Sequence, residues 1–408
     1  MDIRINKRWL VLPLVGLFVV LGGCQNAQAQ EQSAQQTMQA AVYQTLTAVP
    51  TNTAIPTPTA TLPPTPTDTP APINIQVGPT NFPANVDPLT GLTVSDPTIM
   101  NRRPIMIKVS NYPRTGRPHA GLSFADIVFD YYTGEGGNRF LALYYGQDST
   151  KVGPIRSGRL IDRFLVSEYQ GVLGLEYAYA PVYEKILDML GYARVISGSE
   201  QTCPAICSDG PYTVLSNFAN TAEVTKLYAT RAGATDINTK PNLDGMAFNT
   251  TPPANGVPGT EFTMQFSRAN LGNWRFDPTT KKYLHWTEDE DASGNVTLVP
   301  LTDRDTGQQL AFSNVIVVFA NYETLNGDDT LHEVTISGAT GRAILFRDGQ
   351  MYDGLWKNTN VTMPIQFFTK DNQPLELQPG NSWISISGLN SLVTEDQPGV
   401  WRVVFGKP

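Results

Sequence analysis

Residues 51–72 read TNTAIPTPTATLPPTPTDTPAP, and this Thr/Pro alternation decides how much of the 408-residue chain is available to fold. Each proline fixes φ and removes an amide donor, so the tract favours solvated, extended polyproline II over helix or sheet. Residues 25–39 ahead of it are rich in Gln and Ala, with little that is bulky and apolar. Residues 24–80 are therefore expected to form a disordered tether. At ~3.1 Å per residue the Thr/Pro tract alone spans on the order of 60–70 Å. The folded body is confined to about residues 85–408, enough for roughly two ordinary domains.

The start of the chain has its own pattern. Arg4, Lys7 and Arg8 precede an apolar run from Trp9 to Val20, broken only by Pro13 and Gly16. That run is shorter than the ~20 residues a spanning helix needs. A positive start, a short apolar core and then Leu21-Gly22-Gly23 make the pattern of a cleaved export signal over residues 1–23. With Cys24 next, the segment resembles the lipobox of bacterial lipoproteins. The resemblance implies acylation of Cys24 and anchoring on the extracytoplasmic face of the cell membrane by the two chains of a diacylglycerol. A plain secretory signal and an uncleaved anchor helix are the competing readings.

The net charge of −8 argues against a nucleic-acid partner held by a general electrostatic field. If Cys24 carries lipid, Cys203 and Cys207 remain, in TCPAICSDG. An even pair in an oxidising compartment predicts a local disulfide. A metal site needs more ligands, and His119, His285 and His332 all lie elsewhere in the sequence.

Hydrophobic periodicity divides the body in two. Segments 104–109, 125–132, 139–145 and 171–177 read as strands. Residues 160–169, 180–190 and 223–232 carry helical spacing. Beyond about residue 240 come short β-like runs separated by turn sequences such as DASGN, RDTGQ and QPGN, with almost no helical pattern. The expected fold class is α+β, with a mixed α/β N-terminal domain over 85–238 and a β-rich domain over 240–408. Trp274, Trp286, Trp356, Trp383 and Trp401 all fall in the second part, as core or as a sugar-stacking face.

The segments DPLTGL, RPIMIKVSN, GRPHAGLSFADIVFDY, EGGNRFLALY and KVGPIRSGR together resemble the YerB-like bacterial lipoproteins. The series continues in SNVIVVFA, DGQMYDGLWKN, PIQFF and LQPGNSWISI. The resemblance covers most of residues 85–406. It implies an extracytoplasmic lipoprotein with two consecutive α+β or β-rich domains, and no particular activity. The chain departs from the family where Ser216-Asn217 stands in place of a His-Asn pair.

Common catalytic signatures are missing: there is no GxSxG, HExxH, P-loop or dinucleotide fingerprint. DEDASG at 289–294 begins like a calcium loop, but Pro300 stands where its glutamate would be. No catalytic residue, metal or cofactor is assigned. His119, in a Gly/Pro loop, reads as polar surface. The informative cluster is Asp126, Glu135, Arg139, Arg156 and Arg159, with Asp130 near in sequence and Arg114 and Arg117 in a flexible loop. Arg156-Ser157-Gly158-Arg159 leads into a helix N-terminus, where outward amides favour an anion and paired guanidinium forks suit phosphate or carboxylate. The LytR-CpsA-Psr transferases of wall assembly, whose arginines follow a strand pair and grip a pyrophosphate, offer a fold-level analogy. The competing use is structural, with Arg156 and Arg159 paired to Asp126, Asp130 or Asp162. Two functions follow. One is a non-catalytic envelope protein that binds wall glycan or a protein partner. The other is an envelope enzyme acting on a phosphorylated or glycan substrate through the arginine/carboxylate pocket.

Overall fold

The structure, a computed structural model, describes residues 75–200, 202–233 and 240–408. The expected signal, Cys24 and nearly all of the tether lie outside the described residues, as does the stretch 234–239 at the expected domain boundary. Residues 75–80 belong to the body rather than the tether: Gln76–Val77 pairs antiparallel with Phe248–Asn249.

Among the described residues strands dominate, with three α-helices, all between residues 160 and 232. The first long elements are β1 (Ile105–Ser110), β2 (Ile127–Gly134) and β3 (Gly137–Tyr144). β1 and β2 are buried at every position, as in a sheet covered on both faces. Then follow α1 (Leu160–Glu168), β4 (Val172–Leu175), α2 (Ala180–Leu190), β5 (Val195–Ser197) and α3 (Thr221–Ala232). The three helices match the spacing in the sequence almost residue for residue. Their apolar faces pack α1 on α2, α2 on β5, and α3 on β1 and β4.

The second part supplies β6 (Glu261–Ser267), β7 (Asn270–Asp277), β8 (Lys282–Glu290) and β9 (Val296–Pro300). Next come β10 (Asn314–Thr324), β11 (His332–Thr335), β12 (Ala339–Arg347) and β13 (Gln350–Asn358). The last are β14 (Ser382–Gly388), β15 (Leu392–Gln397) and β16 (Val400–Val404).

These strands form a 12-stranded sheet whose long members run β13-β12-β10-β14-β2-β3-β1-β4-β5. β14 lies parallel to β2 on one side and to β10 on the other. The N-terminal strands therefore do not make a separate α/β layer. Both faces of β2 are buried, and the hydrogen-bonding edge it turns away from β3 is completed by a segment some 250 residues further on. A second, 7-stranded sheet runs β9-β8-β7-β6-β16-β15. The two sheets meet through aromatic side chains. Trp383 of β14 lies 4.9 Å from Trp274, and Phe262 stacks on Phe346 at 4.6 Å. Trp274, Trp356 and Trp383 are core residues, whereas Trp286 and Trp401 are only partly buried.

Candidate functional site

Glu135 and Gly136 form the two-residue turn between β2 and β3, both with positive φ (53° and 76°), as a tight hairpin requires. Ahead of them Gly134 passes so close to Asp329 that a Cβ would sit 2.3 Å from its carbonyl oxygen, so only glycine fits. The Asp329 carboxylate then clamps the tip, accepting from the Glu135 amide at 2.9 Å and the Tyr132 hydroxyl at 2.8 Å. Behind the tip, Arg139 on β3 donates to the Ser157 carbonyl at 2.7 Å, which ties the hairpin to the loop before α1.

That loop is held by its backbone. The Arg156 amide donates to the Lys108 carbonyl of β1 at 2.9 Å, and the Gly158 amide to the Tyr177 carbonyl at 2.8 Å. Arg159 caps α1, its own amide donating to Asp162 Oδ2 at 2.6 Å. With the backbone satisfied this way, the Arg156 and Arg159 side chains are left over. They turn with Arg139 into a cleft of about 430 Å³ whose other walls are Tyr112, Arg114, the glycine-rich tip with Glu135, Ser267, Ala269, Glu290 and Thr330.

The electrostatics of this cleft are unusual. Among the described residues no carboxylate comes within the 4.0 Å ion-pair distance of Arg139, Arg156 or Arg159. The Nε groups of Arg156 and Arg159 are buried without any acceptor. Burial, and then the charges of Arg159 and Arg156, push the Arg139 guanidinium down to about 9. Arg159 is lowered as well, mainly by burial. The nearby carboxylate, Asp162, is engaged below the floor with Lys108 at 3.2 Å and with the Tyr131 hydroxyl, which donates to it. Lys108 is fully buried and also donates to the Tyr131 hydroxyl oxygen at 2.5 Å. Burial drives its pKa down to about 7, Asp162 opposes the fall, and Arg139 and Arg159 add to it. A desolvated cluster of unpaired guanidinium groups with orphaned N–H donors is suited to one partner, a multiply hydrogen-bonding oxyanion.

Residues 89–229 match the profile described as "Protein of unknown function (DUF3048) N-terminal domain", and 262–384 match the C-terminal domain of the same family. The chain belongs to the DUF3048 family. A curated relative described as "Putative lipoprotein YerB", from Bacillus subtilis (strain 168), is 27% identical over 307 residues, spanning 73% of this chain and 85% of the relative. The crystal structure of YerB protein from Bacillus subtilis superposes with a TM-score of 0.58 at 22% identity. It covers 74% of this chain and 96% of that one, which shows a shared fold.

Within the DUF3048 frame the cleft draws its arginines from the N-terminal region and Ser267, Glu290 and Thr330 from the C-terminal one. Of the residues singled out in the sequence, Glu135, Arg139, Arg156 and Arg159 line it together. Asp126 does not. It stands at the opposite end of β2, roughly 25–30 Å away at ~3.3 Å per residue. There it is buried, accepts from the Tyr145 and Gly146 amides at 2.5 and 3.1 Å, and lines a different cleft with Asp87. Asp130 lies under the strands, where burial raises it to about 7 and Asn138 donates to it at 2.5 Å.

Arg114 reaches the cleft but is paired with Glu290 at 2.7 Å and Glu288 at 3.4 Å. Arg117 turns away to Glu288 at 2.8 Å. His119 is buried rather than surface-exposed, its Nε2 2.8 Å from the Ser110 carbonyl, because Asp303 and Arg304 close over its loop. Asn217 of the Ser216-Asn217 pair donates to Glu176 at 2.7 Å. Cys203 and Cys207 form the expected disulfide. Among the described residues no three His, Cys, Asp or Glu side chains are grouped to hold a metal, and no helix is long and apolar enough to cross a membrane.

Sequence reasoning missed Tyr112, Ser267 and Thr330 in the cleft walls. It also missed the polar chain beneath them. Arg117 donates to Asn111 at 3.0 Å, Asn111 to Asn138 at 2.6 Å, and Asn270 to Asn138 at 3.1 Å. The signal available was Asn111, an amide directly following an apolar strand.

Proposed function

We propose that this protein is a lipid-anchored, extracytoplasmic binding protein that holds a phosphate-bearing envelope ligand, such as a wall glycan, in the cleft of Arg139, Arg156 and Arg159. The observation that carries the reading is the lack of carboxylate partners for these three arginines among the described residues, together with the buried, acceptorless Nε groups of two of them. A structural ion-pair cluster satisfies its own charges; this one is completed only by an external anion. Binding is preferred over turnover because the near-neutral groups next to this cleft, Lys108 and Asp130, are sealed beneath its floor. Lipid anchoring rests on the Cys24 pattern and on the description of the Bacillus relative.

Calorimetry on the full-length protein in detergent micelles, titrated with inorganic pyrophosphate, tests the reading. Binding should be detectable and weaken as salt rises. Replacing Arg156 and Arg159 together by Ala should weaken it at least ~10-fold, since each hydrogen bond to a charged group is worth about 1.5–3 kcal/mol. The melting temperature should hold. Absence of binding, or unfolding of the double variant, defeats the proposal.

A further inference from the structure

The arginine cleft does not end at Arg159. A second depression of about 270 Å³, lined by Gly158, Tyr179, Val182, Asp328 and Leu331, shares both Arg159 and Thr330 with it. Tyr179 is the prominent feature of this annex. Its side chain is 67% exposed, and it occupies the N-cap of α2, where it makes no side-chain capping bond. Ser, Thr, Asp or Asn would serve the helix better there. An aromatic residue at a helix N-cap was also the sequence signal that could have marked this position.

Tyr179 is placed by the same backbone that sets the arginines. The Glu176 amide donates to the Arg156 carbonyl at 3.0 Å and the Gly158 amide to the Tyr177 carbonyl at 2.8 Å, so segments 156–159 and 176–179 are stitched side by side. The annex differs in charge from the main cleft. It offers the apolar surfaces of Tyr179, Val182 and Leu331, with the exposed Asp328 carboxylate at its edge. A second anion is disfavoured beside Asp328. A neutral group with one apolar face and several hydroxyls fits, its face on the tyrosine ring and its hydroxyls donating to Asp328.

We infer that the ligand is a glycosyl phosphate, its phosphate gripped by Arg156 and Arg159 and the directly attached sugar ring resting on Tyr179. This rests on the anion-binding reading of the main cleft and specifies its substrate class. The test uses calorimetry on the full-length protein in detergent, with inorganic phosphate and N-acetylglucosamine 1-phosphate as probes. The sugar phosphate should bind roughly three- to ten-fold tighter than phosphate. Tyr179→Ala should erase that margin and leave the affinity for phosphate unchanged, and Tyr179→Phe should keep the margin. Equal affinities for the two probes in the native protein, with phosphate bound, would overturn the sugar subsite and leave the anion cleft standing. So would a Tyr179→Ala variant that loses affinity for both probes alike. If phosphate itself does not bind, both readings fall.

Discussion

Two groups of arginines adjoin one cleft, which Arg114 lines together with Arg139, Arg156 and Arg159, and they behave oppositely. Arg114 and Arg117 close on Glu288, a carboxylate with no exposed side-chain surface, which also accepts from the Tyr112 hydroxyl and the Leu271 amide. Arg139, Arg156 and Arg159 are likewise partly buried, yet Arg139 and Arg159 donate to backbone carbonyls and, among the described residues, none of the three has a carboxylate within ion-pair distance. The first group is a finished structural joint between the β8 strand and the loop after β1. The second is an arrangement in which like charges are held together by backbone bonds made elsewhere. What separates a site from a strut is therefore the pairing of the arginines, since all five are partly buried.

The largest effect should come from breaking the finished joint. Glu288→Ala strips Arg117 of its carboxylate, leaves Arg114 with Glu290 alone, and should cost about 3–5 kcal/mol of stability in urea denaturation. Arg156→Ala, by contrast, should leave the urea midpoint nearly unchanged, because it removes a repelling charge. If the two variants lost stability equally, the distinction between the groups would fail.

A sharper probe lies under the unpaired group. Lys108 titrates near 10.5 when free and near 7 in the fold. Between those values the unfolded chain holds a proton that the folded one has released, so stability rises with pH across that window, by at most ~1.4 kcal/mol per unit from this group. The charge-neutral double change Lys108→Met, Asp162→Asn should flatten that rise, measured by denaturation at a series of pH values. A slope identical to that of the native protein would mean that Lys108 keeps its proton in the fold.

The smallest effect belongs to the lip. Glu135 is exposed at the hairpin tip and faces the same cleft. Glu135→Gln should tighten pyrophosphate binding about two-fold at low salt, and the gain should vanish at high salt. A gain that survives high salt would point to a steric origin.

Much of this was legible in the residues, for local reasons. The helices over 160–168 and 180–190 announce themselves by apolar spacing. The hairpin around Glu135 does so by its glycines, and the nearness of Arg139 to Arg156 follows from a short connection between neighbouring elements. What decides the chemistry was not local. The partner of Arg114 and Arg117 is more than 170 residues away, and no spacing rule links them. Asp126 was grouped with Glu135 by sequence proximity, although an eight-residue extended strand carries the two to opposite ends of the sheet. His119 looked like surface because its cover, residues 303–304, comes from the other half of the chain. The expected mixed α/β character of the N-terminal region gives way to a strand-dominated sheet for the same reason, since β14 completes the edge of β2.

That last pairing bears on how the chain is made. Synthesis delivers β2 early and Ser382–Gly388 close to the end, so the widest gap in sequence is closed in the middle of the large sheet. Until β14 emerges, β2 keeps an edge of unpaired N–H and C=O groups that has no native neighbour. Contacts of such long sequence separation form slowly and expose the chain to mispairing meanwhile. A truncation that removes only the last few strands should therefore unseat the first half as well. If the chain is exported as proposed, the same wiring delays closure of the sheet until β14 has crossed.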